Sequence, residues 1–343
     1  MIPDLFLRIQ KVVRRLLLVL LFLAAMGAAL AGAAAWWLGQ PLRLSANSVE
    51  LEIAPGTSPR GVAQAVVQAG VQTDERLLYY WFRASQQDRL IRAGNYEITQ
   101  GMTPRSLLQK LVQGEESLRS ITLVEGWTFR QVRAAIAKDV FLKHDTQSMT
   151  EAQIMAALGR EGVAAEGRFF PDTYTFAKGS SELAVLRRAL HSMDKHLQQV
   201  WEQRQPGTPL KSPDEALILA SIVEKETGRA SDRAEIAGVF VNRLRIGMRL
   251  QTDPTVIYGM GEAFDGNLRR RDLQTDTPWN TYTRAGLPPT PIAMPGRESL
   301  LAAVQPAATK AIYFVARGDG TSHFSATLDE HNRAVNRYQR GGQ

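Results

Sequence analysis

The chain contains no cysteine. That excludes disulfide frameworks, zinc–thiolate centres, iron–sulfur clusters and thiol nucleophiles, and leaves the redox compartment open. Histidine is scarce, at 5 in 343 residues. His191 and His196 do not stand three or four apart, so they do not share a helix face. No H-E-x-x-H run occurs. No metal and no other cofactor is expected. The G-x-S-x-G nucleophile elbow, the P-loop and the dinucleotide G-x-G-x-x-G are also missing. Hydrolysis by a serine triad and ATP chemistry therefore lose their usual support. Neither sign of charge dominates: Lys+Arg 41 stands against Asp+Glu 34, a net +7. No long basic tract follows the N-terminus, so nucleic acid is not an expected partner. The 44% hydrophobic and 22% charged fractions are those of a folded globular chain. They argue against a mostly disordered chain and against a polytopic membrane protein.

One long apolar run is present. Residues 1–15 carry Arg8, Lys11, Arg14 and Arg15 against Asp4. Leu16 to Leu38 follows, 23 residues without charge or proline. That length crosses the roughly 30 Å hydrocarbon core as a helix. The basic flank is expected to stay in the cytoplasm and the body of the chain to lie outside. Trp36 and Trp37 suit the far interface. The competing reading is a cleaved signal peptide, since Ala31-Gly32-Ala33 and Ala33-Ala34-Ala35 have small residues at cleavage spacing. Both readings export the protein.

Residues 39–47 read as a linker. Three segments then repeat one local pattern. Ser48–Ile53, Asn95–Thr99 and Ile121–Val124 alternate as strands. Each is followed by G-x-[S/T]-x-R (Gly56 to Arg60, Gly101 to Arg105, Gly126 to Arg130) and a helical run. Glycine permits the exit from the strand, and Ser or Thr caps the new helix. Pro59 and Pro104 are preset for the first turn. The strand–helix–helix–strand layout over Ser48–Thr99 resembles a LysM-like module, which in other proteins binds N-acetylated glycans. From about residue 116 onward the chain reads as a larger α+β domain. Glu182–Trp201 is expected as an amphipathic helix, Ile312–Val315 and Ser322–Ser325 as a hairpin, and Leu328–Tyr338 as a closing helix.

Ser212–Gly228, SPDEALILASIVEKETG, is the most informative stretch. Ser212 reads as N-cap, Pro213 as first helical residue and Glu215 as the reciprocal member of a capping box. Gly228 reads as the C-terminal stop. The interior is apolar around most of the wheel, so the helix is expected to be buried. Glu226 follows Val223, Ile222 and Leu219 at helical spacing, so it continues an apolar stripe. Burial there disfavours its charged form and raises its pKa toward the working pH of a general acid. Glu224, behind Ser221, Ala220 and Leu217, is the alternative. Two solvated carboxylates at a fraying helix end are the bland alternative to both.

Downstream, Asp232 and Glu235 are read as caps of a helix that stops at Gly247. Gln251 to Thr255 is read as a turn-rich loop. Asn242, Gln251, Thr252, Asp253, Tyr258 and Tyr282 supply amides, hydroxyls and flat rings suited to sugar recognition. Asn242, Thr252 and Asp253 read equally well as capping or turn residues.

The blocks ASIVEKET, VFVNRLRIGMRLQTDPTVIYGMG, NTYT with GLPPTPIAMPG, and YFVARGDGTSHFS with HN strongly resemble the endolytic murein transglycosylases, the MltG or YceG-like family. The resemblance covers nearly the whole chain. It implies residues 1–15 in the cytoplasm, a membrane helix at 16–38, a linker and LysM-like module at 39–115, and a catalytic α+β domain at 116–343. It implies a single-pass protein of the bacterial inner membrane with its catalytic domain in the periplasm. It implies internal cleavage of nascent peptidoglycan glycan strands between N-acetylmuramic acid and N-acetylglucosamine, with 1,6-anhydro ends. The second acid of E-K-E-T, Glu226, is implied as the catalytic residue. Asn242, Gln251, Thr252, Asp253, Tyr258 and Tyr282 are candidates for the substrate groove. Membrane-bound wall synthases, the penicillin-binding proteins, are implied as partners. A non-catalytic glycan-binding scaffold, and a hydrolytic muramidase using Asp253 as second carboxylate, are the alternatives.

Overall fold

The computed structural model describes residues 3–341, with side chains from residue 16 onward. The basic flank expected within residues 8–15 lies outside the described side chains. The chain divides into two compact units, Met1–Leu118 and Arg119–Gln343.

The first unit opens with helix α1 (Pro3–Leu38). Its segment Leu16–Leu38 has a mean hydropathy of 2.5 and is exposed, long and apolar enough to cross a membrane or to act as a signal sequence. The helix end is not free. Leu38 is buried, and Trp37 packs against the core of this unit. Residues 39–47 are not a simple linker, because Arg43–Leu44 (β1) pairs antiparallel with Val71–Gln72 (β3). Between them lie β2 (Ser48–Ile53) and α2 (Pro59–Gln68). α3 (Glu75–Ala84), β4 (Gly94–Thr99) and α4 (Pro104–Gln113) follow. β2 and β4 are antiparallel, in register from Ser48 against Thr99 to Ile53 against Gly94. Val49, Leu51, Ile53, Tyr96 and Ile98 turn inward under Val62, Val66, Leu78, Phe82 and Leu107. The layout is thus β–α–α–β with a short strand between the helices.

The boundary falls at the first residue of β5 (Leu118–Thr122), and the second unit continues with α5 (Phe129–Ala137), α6 (Glu151–Ala157) and β6 (Thr173–Ala177). β5 pairs with β6. α7 (Glu182–Glu202), α8 (Pro213–Glu226), α9 (Ala230–Arg245), α10 (Asp253–Met260), α11 (Arg270–Gln274) and α12 (Arg297–Val304) follow. Strands β7 (Tyr313–Ala316) and β8 (Ser322–Ser325) form the hairpin, and α13 (Leu328–Tyr338) follows them. The repeated strand–turn–helix pattern forms as its residues dictate. Gly56, Gly101 and Gly126 have φ of 80°, 88° and 75°, and Ser58, Thr103 and Thr128 cap α2, α4 and α5.

α8 is the central rod. Leu217, Leu219, Ile222 and Val223 are fully buried and sit in one core with residues of α7, α9 and α12. Each such side chain contributes about 2 kcal/mol of burial. Its one polar interior residue, Ser221, donates to Ile218 O at 2.7 Å and accepts from Ile292 N at 3.0 Å. It thereby ties the 286–296 loop to the helix without leaving a polar atom unpaired.

Several local expectations differ. Ser212 caps α8, but Glu215 reaches past it to accept from Lys211 N at 2.6 Å, so no reciprocal box closes. The helix ends at Glu226 because Thr227 is already extended (φ −147°), not because Gly228 turns left-handed. α9 starts without a side-chain cap. Asp232 instead accepts from Ser322 N at 2.9 Å and pins the hairpin. Residues 253–255 are not loop but the first turn of α10, since Pro254 is preset for an N-terminal turn.

Candidate active site

Four segments of the second unit converge on one carboxyl. Glu226 is the last residue of α8, Thr252 and Asp253 open α10, Tyr282 follows the buried Asn280-Thr281 pair, and Arg243 comes from α9. The tertiary arrangement of Thr252 is specific. It is the N-cap of α10, yet its hydroxyl makes no cap bond; it donates to Glu226 Oε1. A lost cap of this kind costs about 1 kcal/mol. Two further threonines hold its backbone. Thr252 N donates to Thr281 Oγ1 at 3.1 Å, and Thr255 Oγ1 donates to Thr252 O at 2.7 Å. Asn280 shapes the neighbouring loop by donating to Thr275 O at 2.6 Å and accepting from Tyr282 N at 2.8 Å.

Burial pushes the Glu226 carboxyl up to about 7, and the Asp253 charge pushes the same way. The Thr252 hydroxyl and the Arg243 guanidinium oppose them. The carboxyl also stands at the negative end of α8, which disfavours its charge. Arg243 is itself buried. Its Nε donates to Ile312 O at 2.7 Å, its Nη1 to Leu250 O at 2.5 Å, and its Cζ lies 5.5 Å from the Tyr313 ring centre. The Tyr282 hydroxyl donates to Asp253 Oδ1 at 2.5 Å. Burial and the carboxylates of Asp253 and Glu226 hold that phenol protonated, well above the usual range.

Beside this group lies a groove of about 920 Å³. Lys225 and Pro254, each adjacent in sequence to Glu226 and Asp253, line it together with Tyr258, Trp279, Phe129 and Glu166. Arg130 and Glu262 both line it and form an ion pair at 2.8 Å.

The structure thus gathers Glu226, Thr252, Asp253 and Tyr282, and sets Tyr258 in the adjoining groove. Gln251 is exposed, with φ 47°, and its N–H donates to Thr281 O at 3.1 Å. Asn242 is engaged elsewhere: its amide donates to Thr309 O at 2.8 Å and Ala311 O at 3.0 Å. Glu224, the alternative acid, accepts from Gly296 N at 2.9 Å and lies 3.9 Å from Arg233, with its side chain 7% exposed. Among the described residues no group of three or more His, Cys, Asp or Glu is placed to hold a metal ion. Arg243 and Glu166 are site residues that the sequence reading did not single out. Nothing in the local pattern separates buried Arg243 from exposed Arg245 two residues on. Glu166 shows only as a lone acid before Phe169-Phe170.

A family model described as the YceG-like family matches residues 51–337. A protein of Bacillus subtilis named endolytic murein transglycosylase is 32% identical over 318 residues, covering 86% of each chain. A Streptococcus pneumoniae protein of the same name is 26% identical over 337 residues, covering 86% of this chain and 59% of its own length. A crystal structure of a YceG-like protein from Listeria monocytogenes aligns with a TM-score of 0.52 at 30% identity, over 84% of this chain and 99% of that one. The chain belongs to the YceG-like family.

Proposed function

We propose that the protein is a lytic transglycosylase that cuts peptidoglycan glycan strands internally, with Glu226 as its single acid and base. The observation that carries this reading is a buried carboxyl whose pKa burial raises to about 7, and whose sequence neighbour Lys225 lines a groove large enough for sugar rings. Such a pKa suits a group that must first give and then take a proton. The names of the relatives support the substrate class.

Protonated Glu226 donates to the glycosidic oxygen between N-acetylmuramic acid and N-acetylglucosamine. The C1–O bond breaks, and positive charge develops at the anomeric carbon. Glu226, now a carboxylate, is stabilised by the Thr252 hydroxyl and by Arg243. It takes the proton of the muramic acid C6 hydroxyl as that oxygen bonds to C1. The 1,6-anhydro ring forms, Glu226 is protonated again, and no water is consumed. Asp253, already accepting from Tyr282, acts on this cycle by raising the acid's pKa rather than by activating water.

In the same reading Leu16–Leu38 is retained as an inner-membrane anchor. It leaves the second unit in the periplasm beside membrane-bound wall synthases, where cutting ends nascent strands. The β–α–α–β layout of the first unit supports its assignment as a LysM-like module.

The test uses the full-length protein in detergent micelles on purified glycan strands, with products read by mass spectrometry. Anhydro-ended fragments from the wild type, absent with Glu226→Gln, are the expected result. Fragments heavier by one water, with reducible ends, would make the protein a muramidase. Binding without fragments would make it a scaffold.

A further inference from the structure

One buried carboxyl of the groove has no part in the proton transfers given to Glu226. Glu166 is 5% exposed and lines the groove. Its two oxygens lie 3.1 and 3.2 Å from the same donor, the Phe129 N–H in the first turn of α5. The Tyr258 hydroxyl pairs with the same carboxyl. Burial holds it up to about 7, and the Glu151 charge pushes the same way. A carboxyl offers about four acceptor sites. The Phe129 and Gly167 N–H groups and the Tyr258 hydroxyl take most of that capacity, and Glu166 lines the groove with the remainder.

The surroundings narrow the ligand. Trp279 stands edge-on to Tyr258 at 5.5 Å, and its Nε1 is held by Thr290 Oγ1 at 2.9 Å. Ile257 and Ile292 line the same groove. A buried acceptor beside aliphatic walls matches a group with one N–H and one methyl. An anionic group would be repelled by the acid, and a plain hydroxyl would leave the apolar walls uncovered.

We propose that Glu166 recognises the 2-acetamido group of an N-acetylglucosamine unit, its N–H donating to the carboxyl and its methyl resting on Ile257 and Ile292. Tyr258 is the positioning residue that orients the acceptor. N-acetylglucosamine is favoured over N-acetylmuramic acid by sterics. In the latter a lactyl group with its peptide occupies C3, next to the acetamido, and keeps that edge of the ring from a closed floor. The proposal rests on the reading of the groove as a glycan site, but its test does not depend on cleavage.

The full-length protein in detergent is titrated by calorimetry with the β-1,4 tetramer of N-acetylglucosamine and with cellotetraose, its neutral analogue lacking acetamido groups. The wild type should prefer the acetylated tetramer by about tenfold or more, the size of one well-placed hydrogen bond plus a buried methyl. Glu166→Leu should bring the two sugars to within about threefold of each other. Glu166→Gln, which keeps an acceptor, should retain most of the preference, and Tyr258→Phe should reduce it. Equal weakening toward both sugars would show a merely structural role and overturn the proposal. So would a wild type that binds both alike or neither, a comparison that needs no variant to fold. Glu226→Gln is titrated in parallel: preserved discrimination with no cleavage by the wild type would sink the transglycosylase reading alone. Cleavage without discrimination would sink this one alone.

Discussion

The Thr252 hydroxyl donates to Glu226 Oε1 and leaves its own helix uncapped. A cap residue diverted from its helix to a carboxyl 26 positions away marks where this fold gives up local stability for its site.

Thr252→Val keeps the shape and removes the donor. The carboxylate form of Glu226 then loses a charge-assisted hydrogen bond, of the order of 1.5–3 kcal/mol. kcat should fall about ten- to a hundredfold. The alkaline limb of the pH–rate profile should move up from about 7, because the bond it removes lowers that pKa. Thr252→Ser should recover most of the rate. A Val variant with unchanged rate and profile would show that the hydroxyl is idle.

Stability should fall as pH rises through neutrality. Glu226 titrates near 4.5 when unfolded and at about 7 in the fold. The native state therefore holds the extra proton between these values. The stabilising contribution of the neutral carboxyl is intact below about pH 4.5 and is lost as pH climbs through 7. The full difference is about 3 kcal/mol. Glu226→Gln, neutral at every pH, should unfold at higher urea than wild type at pH 8 and match it at pH 4.5. No gain at pH 8 would mean that the carboxyl is not strained by its burial.

Glu224 and Glu226 should separate in a stability assay. Glu224→Leu leaves Gly296 N without an acceptor and removes the carboxylate 3.9 Å from the half-buried Arg233 guanidinium. A loss of about 2–4 kcal/mol is expected, read as a lower urea midpoint with unchanged slope. Glu224→Gln, which still accepts from Gly296, should lose about half of that.

Asp253→Asn keeps an acceptor for the Tyr282 hydroxyl and removes the charge that raises the Glu226 pKa. The alkaline limb of the rate profile should move to lower pH, with anhydro-ended products retained. Abolished cleavage would assign Asp253 a direct catalytic role.

Much of the local structure was legible because its causes are local. The cap and proline at Ser212-Pro213 place the start of α8, and the turn at Gly318-Asp319-Gly320 places the hairpin. Period-2 alternation marks Ser48–Ile53, whose burial alternates as the pattern requires. The misses are places where a side chain answers to a distant partner. Glu215 reads as half of a capping box and accepts from Lys211 instead. The segment opening at Asp253 reads as loop because Thr252 looks like a turn residue; it is a helix start whose cap hydroxyl is used elsewhere. The wheel puts Glu224 and Glu226 on different faces of α8, but it carries no information on what meets each face.

By itself, the sequence determined the apolar N-terminal helix, the punctuation of the strand–helix units and the burial of α8. These follow from hydrophobic periodicity, capping and glycine, which act over a few residues. Only the tertiary structure decided which carboxyl meets Thr252 and Arg243, that Arg243 is buried while Arg245 is not, and that Glu166 faces the groove with Tyr258. Those outcomes depend on desolvation and on charges brought together from four segments of chain, and neither quantity exists until the chain is packed.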